Sequence, residues 1–430
     1  MNTLVRSGRV FILADMNSAF ASIETTFRPW LRHEPVVVLS ANDGNVIARS
    51  PAAKALGIQM GQPWHEVAPL YHAGRLHVFS SNFALYADLS ERFHGIVRRE
   101  TALCAPYSID EVFADATGID AIEDMEDFCQ RIRCAVDREL GIPIAVGAGH
   151  TKTQAKLANW AAKKWLSASQ GVLDIRNPAR LEKLLRRAPV QEVWGIGNRL
   201  ASRLAAEMNI TKAWELAMAD PRILRRRFSI MVERTSRELR GEVCYPLEEG
   251  PPHQQTIAAT QSFGRKIDSL EGLSAAVASL TARGAAKLRR QGSLCQCLQV
   301  FARTSPFAPG EPYSASGAAA FVNPTDDTRE LIGGALEVLR SVYRLGPRYA
   351  KAGVIFSQLA PATQHTNDLF AGPANGKGKA VMEALDAINA QMGRGTVRIA
   401  REQASRGWEM RRQFLSPCYT TRWADLPQAW

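Results

Sequence analysis

Two short runs of strand character carry acids, and they stand roughly a hundred residues apart. The first, Val10-Phe11-Ile12-Leu13-Ala14, ends at Asp15. The second, Tyr107-Ser108-Ile109-Asp110-Glu111-Val112-Phe113, holds Asp110 and Glu111. The chain as a whole is basic, with net charge +11, and has little reason to gather acids. Three carboxylates brought together would hold divalent cations, and two such metals are the usual apparatus of in-line phosphoryl transfer. A fold that joins these two runs therefore brings a definite chemistry with it.

At 430 residues the chain is too long for one ordinary core, and two to four domains are expected. Hydrophobic residues make up 46% and charged residues 22%, the balance of a soluble globular protein. No apolar run approaches the roughly 20 residues of a membrane span. Arg6 and Arg9 precede an apolar run that Asp15 interrupts, which reads as a buried first strand and not a signal peptide. The seven cysteines are scattered and form no CxxC pair, so a reducing cytoplasm without disulfides or zinc is expected.

Charge is unevenly placed. Residues 101–130 hold eight acids and no Lys or Arg, whereas residues 221–240 hold seven Arg and two Glu. Clustered basic charge suggests a polyanionic partner, most simply nucleic acid. Strand and helix signals alternate through the first 175 residues, which predicts a mixed α/β domain. Residues 151–165 read as a helix on which Lys152, Lys156 and Lys163 share one side. Ala158, Ala161, Ala162 and Trp165 fall on the other side as its core face. Residues 180–240 read as helical, with Val193-Trp194-Gly195-Ile196-Gly197 as a tight turn whose N–H groups can point at a phosphate. A Pro-rich linker near 243–256 leads to strand-like runs at 256–263, 298–304 and 351–356. Helical runs lie between them near 270–290 and 326–344, which predicts an α+β domain. Residues 359–380 read as a tether before a helix near 378–391 and a Trp- and Arg-rich end.

The chain resembles the Y-family translesion DNA polymerases, and within them the UmuC type, the catalytic subunit of bacterial DNA polymerase V. The resemblance rests on Asp15-Met16-Asn17-Ser18-Ala19-Phe20, Val46-Ile47-Ala48-Arg49 with Lys54-Ala55-Leu56-Gly57, and Ser80-Ser81-Asn82-Phe83. It continues through Ser108-Ile109-Asp110-Glu111, Thr151-Lys152-Thr153, the Gly195/Gly197 turn, Thr304-Ser305-Pro306-Phe307 and Ser416-Pro417-Cys418-Tyr419. It implies a multidomain right-hand polymerase of α/β and α+β parts. The palm would be 1–27 and 80–175, the fingers 28–79 and the helical thumb with its helix-hairpin-helix 176–242. A little finger would span 253–358, and 359–430 would be a tether and a C-terminal partner-binding element. The implied activity is error-prone, template-directed DNA synthesis past lesions in the SOS response.

The resemblance also assigns residues. Asp15, Asp110 and Glu111, with the carbonyl of Met16, would hold two Mg²⁺ ions, or Mn²⁺ in vitro. Phe20 would be the gate that excludes the ribose 2′-hydroxyl. Lys54 and Lys163, and with them Lys152, would meet the incoming deoxynucleoside triphosphate. Gly195, Gly197, Arg265 and Arg303 would contact primer-template DNA. Gln364, Leu369 and Phe370 would form a weak sliding-clamp motif. A processed UmuD-like dimer and the RecA recombinase would be further partners, in the cytoplasm and away from membranes. Two other readings fit parts of the sequence. A DNA-binding scaffold needs no metal acids, and a nucleotidyl cyclase needs no DNA track; the intact acids speak against the first, and the helix-hairpin-helix with the basic carboxy-terminal half against the second.

Overall fold

The structure is a computed structural model. It describes residues 8–247, 253–308, 311–363, 376–402 and 407–427. The chain divides into two compact units, Met1–Pro251 together with Gln413–Trp430, and Pro252–Arg412.

The first unit opens with β1 (Phe11–Met16), α1 (Ala19–Thr26), β2 (Val36–Leu39), β3 (Val46–Arg49), α2 (Pro51–Ala55), α3 (Trp64–His72) and β4 (His77–Ser80). Next come α4 (Phe83–Glu100), β5 (Leu103–Pro106), β6 (Glu111–Asp115), α5 (Met125–Leu140), β7 (Ile144–Gly149), α6 (Lys152–Lys164), α7 (Leu166–Ser169) and β8 (Val172–Asp174). A helical segment follows: α8 (Pro178–Arg187), α9 (Asn198–Met208), α10 (Ala213–Met218), α11 (Pro221–Arg227) and α12 (Ile230–Leu239).

Five strands form one sheet in the order β5-β6-β1-β7-β8, and β1 runs antiparallel to both neighbours. A central strand covered on both faces needs a continuous apolar run, which is what Phe11 to Ala14 supply. Side chains alternate across the sheet. Ile12, Ala14 and Met16 join the core that α1, α4 and α5 complete with Ile23, Phe93 and Phe128. Phe11 and Leu13 turn to the other face, with Phe113 and Ala155 of α6. Asp15 and Glu111 continue that second row.

Helix α6 lies almost against the backbone of β7. A Cβ on Gly147 would stand 2.2 Å from Asn159 N, and one on Gly149 2.7 Å from Gln154 Cβ. Asn159 fixes the helix to the sheet by donating to Ala145 O (2.7 Å) and Leu13 O (3.3 Å). Trp165 departs from expectation: it caps α6 and stays 37% exposed, edge-on to Trp160, and is not part of the core face.

A three-stranded sheet, β3-β2-β4, carries its own core of Val37, Leu39, Val46, Val67 and Leu76. Helices α8–α12 enclose another, built on Leu181, Leu185, Leu204 and Leu216. The end of the chain returns to this unit. Phe414 N donates to Ser80 Oγ (3.0 Å), Ser80 N to Phe414 O (2.9 Å), and Gln413 N to Asp43 Oδ2 (2.8 Å).

The second unit contains β9 (Ile257–Ile267), α13 (Leu270–Arg290), β10 (Ser293–Thr304), β11 (Ser314–Thr325), α14 (Thr328–Val342), β12 (Tyr349–Pro361) and α15 (Gly376–Gln391). Its antiparallel sheet has the order β11-β10-β12-β9. Leu298, Val300, Val354 and Phe356 face α13 and α14. Strand β11 is absent from the sequence reading. Its run Ser-Ala-Ser-Gly-Ala-Ala-Ala has little β-propensity and takes its form from pairing with β10. No helix among the described residues is long and apolar enough to cross a membrane.

Candidate active site

The two acidic runs are neighbours. Asp15 of β1 and Glu111 of β6 are direct cross-strand partners. Asp110 stands on the turn that enters β6, and its carbonyl accepts from Met16 N at 2.9 Å. Ser108 shapes that turn: its Oγ accepts from Asp110 N (3.2 Å) and Glu111 N (3.0 Å) and donates to Asp110 Oδ1 (2.6 Å). The three carboxylates therefore occupy one end of two paired strands.

Lysines of α6 meet them. Lys163 Nζ is 2.5 Å from Asp15 Oδ1, and Lys156 Nζ is 2.5 Å from Glu111 Oε1. Burial pushes the Asp15 carboxyl up to about 7; Lys163 pulls it down, while Glu111 and Asp110 add to the rise. At this carboxyl burial outweighs the Lys163 ammonium. Among the described residues no three His, Cys, Asp or Glu side chains gather at metal-ligand spacing; Asp15 and Glu111 pair with Lys163 and Lys156, and Asp110 accepts from Ser108. An all-oxygen donor set of this charge matches a hard divalent cation.

A third element brings more positive charge. Lys54 of α2 donates to Ser18 Oγ at 3.1 Å, three residues from Asp15. Its ammonium is held below the ordinary lysine value by burial and then by Arg49 and Lys163. Arg49 and Lys163 thus both act on Lys54, and clustered positive charge of this kind attracts polyanions in general. Arg49 and Lys156 belong to the arrangement; the sequence reading gives Arg49 no role and has Lys156 only as one of three lysines on one side of α6, of which one or two would meet a triphosphate. The signal was present: Arg49 ends β3 just before α2, and Lys156 lies on the same side of α6 as Lys163. Lys152 is not brought to this cluster. Its Nζ donates to Pro246 O (2.7 Å) and sits 5.5 Å over the Phe113 ring.

Phe20 follows on α1. Its half-buried ring stacks on Tyr86, with centroids 4.4 Å apart and 14° between planes, and meets Phe83 edge-on at 6.4 Å.

The other expected contacts lie elsewhere in the fold. Gly195 has φ +84°, a conformation that favours glycine, and Gly197 caps α9. Trp194 beside them packs on Tyr107 and Phe113 and donates Nε1–H to Tyr107 Oη at 3.1 Å. In the second unit Arg303 is exposed and in register with Lys351 of β12, on the sheet face opposite α13 and α14. Arg265 is exposed where β9 leaves regular pairing with β12. Gln364, Leu369 and Phe370 lie outside the described residues.

With this geometry in hand, similarity to known proteins is informative. The sequence pattern of the impB/mucB/samB family matches residues 14–160. That of the impB/mucB/samB family C-terminal domain matches 254–369, and a domain of unknown function, DUF4113, matches 379–429. Protein ImpB of Salmonella typhimurium is 44% identical over 98% of this chain and 99% of its own length. Protein UmuC of Salmonella typhimurium is 43% identical over 97% and 99%. Among solved structures, a Y-family DNA polymerase chimera superposes with TM-score 0.63 at 18% identity, covering 81% of this chain and 99% of its own. The chain belongs to the impB/mucB/samB family, and its multidomain α/β and α+β fold is that of a right-hand, Y-family DNA polymerase.

Proposed function

We propose that this chain is an error-prone, template-directed DNA polymerase that extends primers past lesions during the SOS response. The observation that carries the proposal is the pairing of Asp15 with Glu111 beside Asp110, faced by Lys54, Lys156 and Lys163. Acids and cations on one site fit a reaction that joins a metal-held triphosphate to a hydroxyl. The five-stranded sheet with its helices is the palm, 28–79 the fingers, 176–242 the thumb, 253–358 the little finger, and 359–430 a tether with a partner-binding element.

Asp15, Asp110, Glu111 and the Met16 carbonyl would hold two Mg²⁺ ions. Such ions, when bound, lower the pKa of the primer 3′-hydroxyl and stabilise the leaving pyrophosphate. Lys54 and Lys163 hold the triphosphate as point charges. Lys163 pairs with Asp15 and Lys156 with Glu111, so both lysines are positioned by the acids they face. Phe20 rejects the 2′-hydroxyl by bulk. Gly195, Gly197, Arg265 and Arg303 hold the primer-template backbone, with the exposed Arg222, Arg225 and Arg226 of α11 adding charge. The working assembly, in the cytoplasm, adds a processed UmuD-like dimer, RecA and the sliding clamp.

Single-nucleotide incorporation opposite an abasic template site, with Mg²⁺ and the partner proteins, tests the proposal. Wild type extends the primer, whereas Asp110→Ala binds the same DNA and loses incorporation by at least about 10³-fold, the scale of losing a transition-state charge contact. Equal incorporation by the two proteins would remove the acids from catalysis.

A further inference from the structure

The ring of Phe20 rests on Tyr86, and Tyr86 is itself held from the far end of the chain. Tyr86 Oη donates to Glu24 Oε1 at 2.7 Å. Ser416 Oγ donates to the same oxygen at 2.9 Å. Asn82 Nδ2 reaches Ser416 O (3.0 Å), Ser416 Oγ (3.1 Å) and Pro417 O (3.2 Å), while Asn82 Oδ1 caps α4 by accepting from Leu85 N (3.3 Å). The segment around Ser416 therefore grips both the helix that carries Tyr86 and the carboxylate that fixes its hydroxyl. Glu24 and Tyr86 are fully buried, and Ser416 is 4% exposed. Neighbouring residues hold the segment down. Gln413 and Phe414 bond to Asp43 and Ser80, and Tyr419 stacks on Phe27 at 4.5 Å and 16°.

We propose that residues 413–419 set the position of the Phe20 ring, through Ser416, Glu24 and Tyr86, and thereby set how strongly the site rejects ribonucleotides. The inference rests on the reading of Phe20 as the sugar gate. A gate that works by bulk is effective only where its ring is fixed, because a small displacement makes room for one oxygen. Stacking alone leaves the Tyr86 ring free to slide in its plane. The hydroxyl held by Glu24 removes that freedom, and Ser416 holds Glu24 against rotation. Ser416, Glu24 and Tyr86 are positioning residues and need not touch the nucleotide.

The test is the ratio of kcat/KM for a deoxynucleotide to that for its ribonucleotide on one primer-template, measured on the full-length chain. Partly misfolded protein lowers both rates together, so a purely structural role leaves the ratio unmoved. Ser416→Ala and Tyr86→Phe each lower the ratio by roughly two- to tenfold, the size of one lost buried hydrogen bond. The double variant falls short of the product of the two, since both cut one chain of contacts. Phe20→Ala, run alongside, collapses the ratio further. A wild-type ratio in both Ser416→Ala and Tyr86→Phe, with a collapsed ratio in Phe20→Ala, overturns the role of the segment and leaves the gate standing. An unchanged ratio in Phe20→Ala removes the gate and the inference with it.

Discussion

Burial raises the carboxyl groups of both Asp15 and Glu24, but the two are compensated differently. Asp15 faces the Lys163 ammonium. Glu24 is sealed beneath Tyr86 and Ser416, whose hydroxyls pull its carboxyl down again, as does Arg28 at 3.4 Å, without cancelling burial. The folded protein therefore binds the Glu24 proton more tightly than the unfolded chain does. Stability from this group is fully present below its ordinary value of 4.5 and is lost as pH rises through the higher folded value. Glu24→Gln has no proton to lose there. Thermal melts between about pH 5 and about pH 8 are expected to show the variant gaining on wild type as pH rises. A difference in melting temperature that does not change with pH would place the Glu24 carboxyl in an ordinary environment.

Among the elements, α6 matters most, because it delivers two of the site's cations and its distance from β7 decides where they fall. Gly147 is what permits that distance. In Gly147→Ala the new methyl meets Asn159 N and Ala155 O, both backbone, so the helix has to move as a body. The expected cost is about 1–3 kcal/mol in denaturant melts. Nucleotide incorporation falls further than the folded fraction does, since Lys156 and Lys163 move with the helix. Gly333→Ala on α14 is the control: nothing lies within 4 Å of the added Cβ, and the helix is expected to gain up to about 1 kcal/mol. An equal effect of the two changes would mean that the contact of α6 with β7 has slack. Elements were readable in the sequence where periodicity or a continuous apolar run forced them, as in β1, α6 and α14. Strand β11 was not, because its alanines and serines take their conformation from β10. Trp165 was misplaced for a related reason: helical phase put it on the core face, but the helix ends there and its ring turns outward.

At the scale of the molecule, the acids were visible in sequence because charge stands out in an apolar run. The return of residues 413–419 to α1 and α4 was not, since Ser-Pro-Cys-Tyr has no period and its partners Glu24 and Asn82 lie more than 300 positions away. Net charge is likewise a property of the whole chain, but its use depends on which cations the fold leaves outside. Of the seven arginines in 221–240, Arg240 is buried on Ala217 O and Arg237 is engaged with Glu233 and Glu242. Arg222, Arg225, Arg226, Arg227 and Arg234 are exposed. Cations that neutralise phosphates release counterions, so the logarithm of DNA affinity falls linearly with the logarithm of salt concentration, by about one unit of slope per contact. Replacing Arg225 and Arg226 together by alanine is expected to weaken binding to primer-templates of any sequence alike, and to make the salt dependence shallower by about one to two units. Fluorescence anisotropy over a salt series reads both quantities at once. A drop in affinity that left the slope intact would mean that these side chains support the fold of α11 and do not meet phosphate. An unchanged curve would leave the basic face of α11 to solvent and shift the DNA track to Arg303 and Lys351 on the open sheet of the second unit.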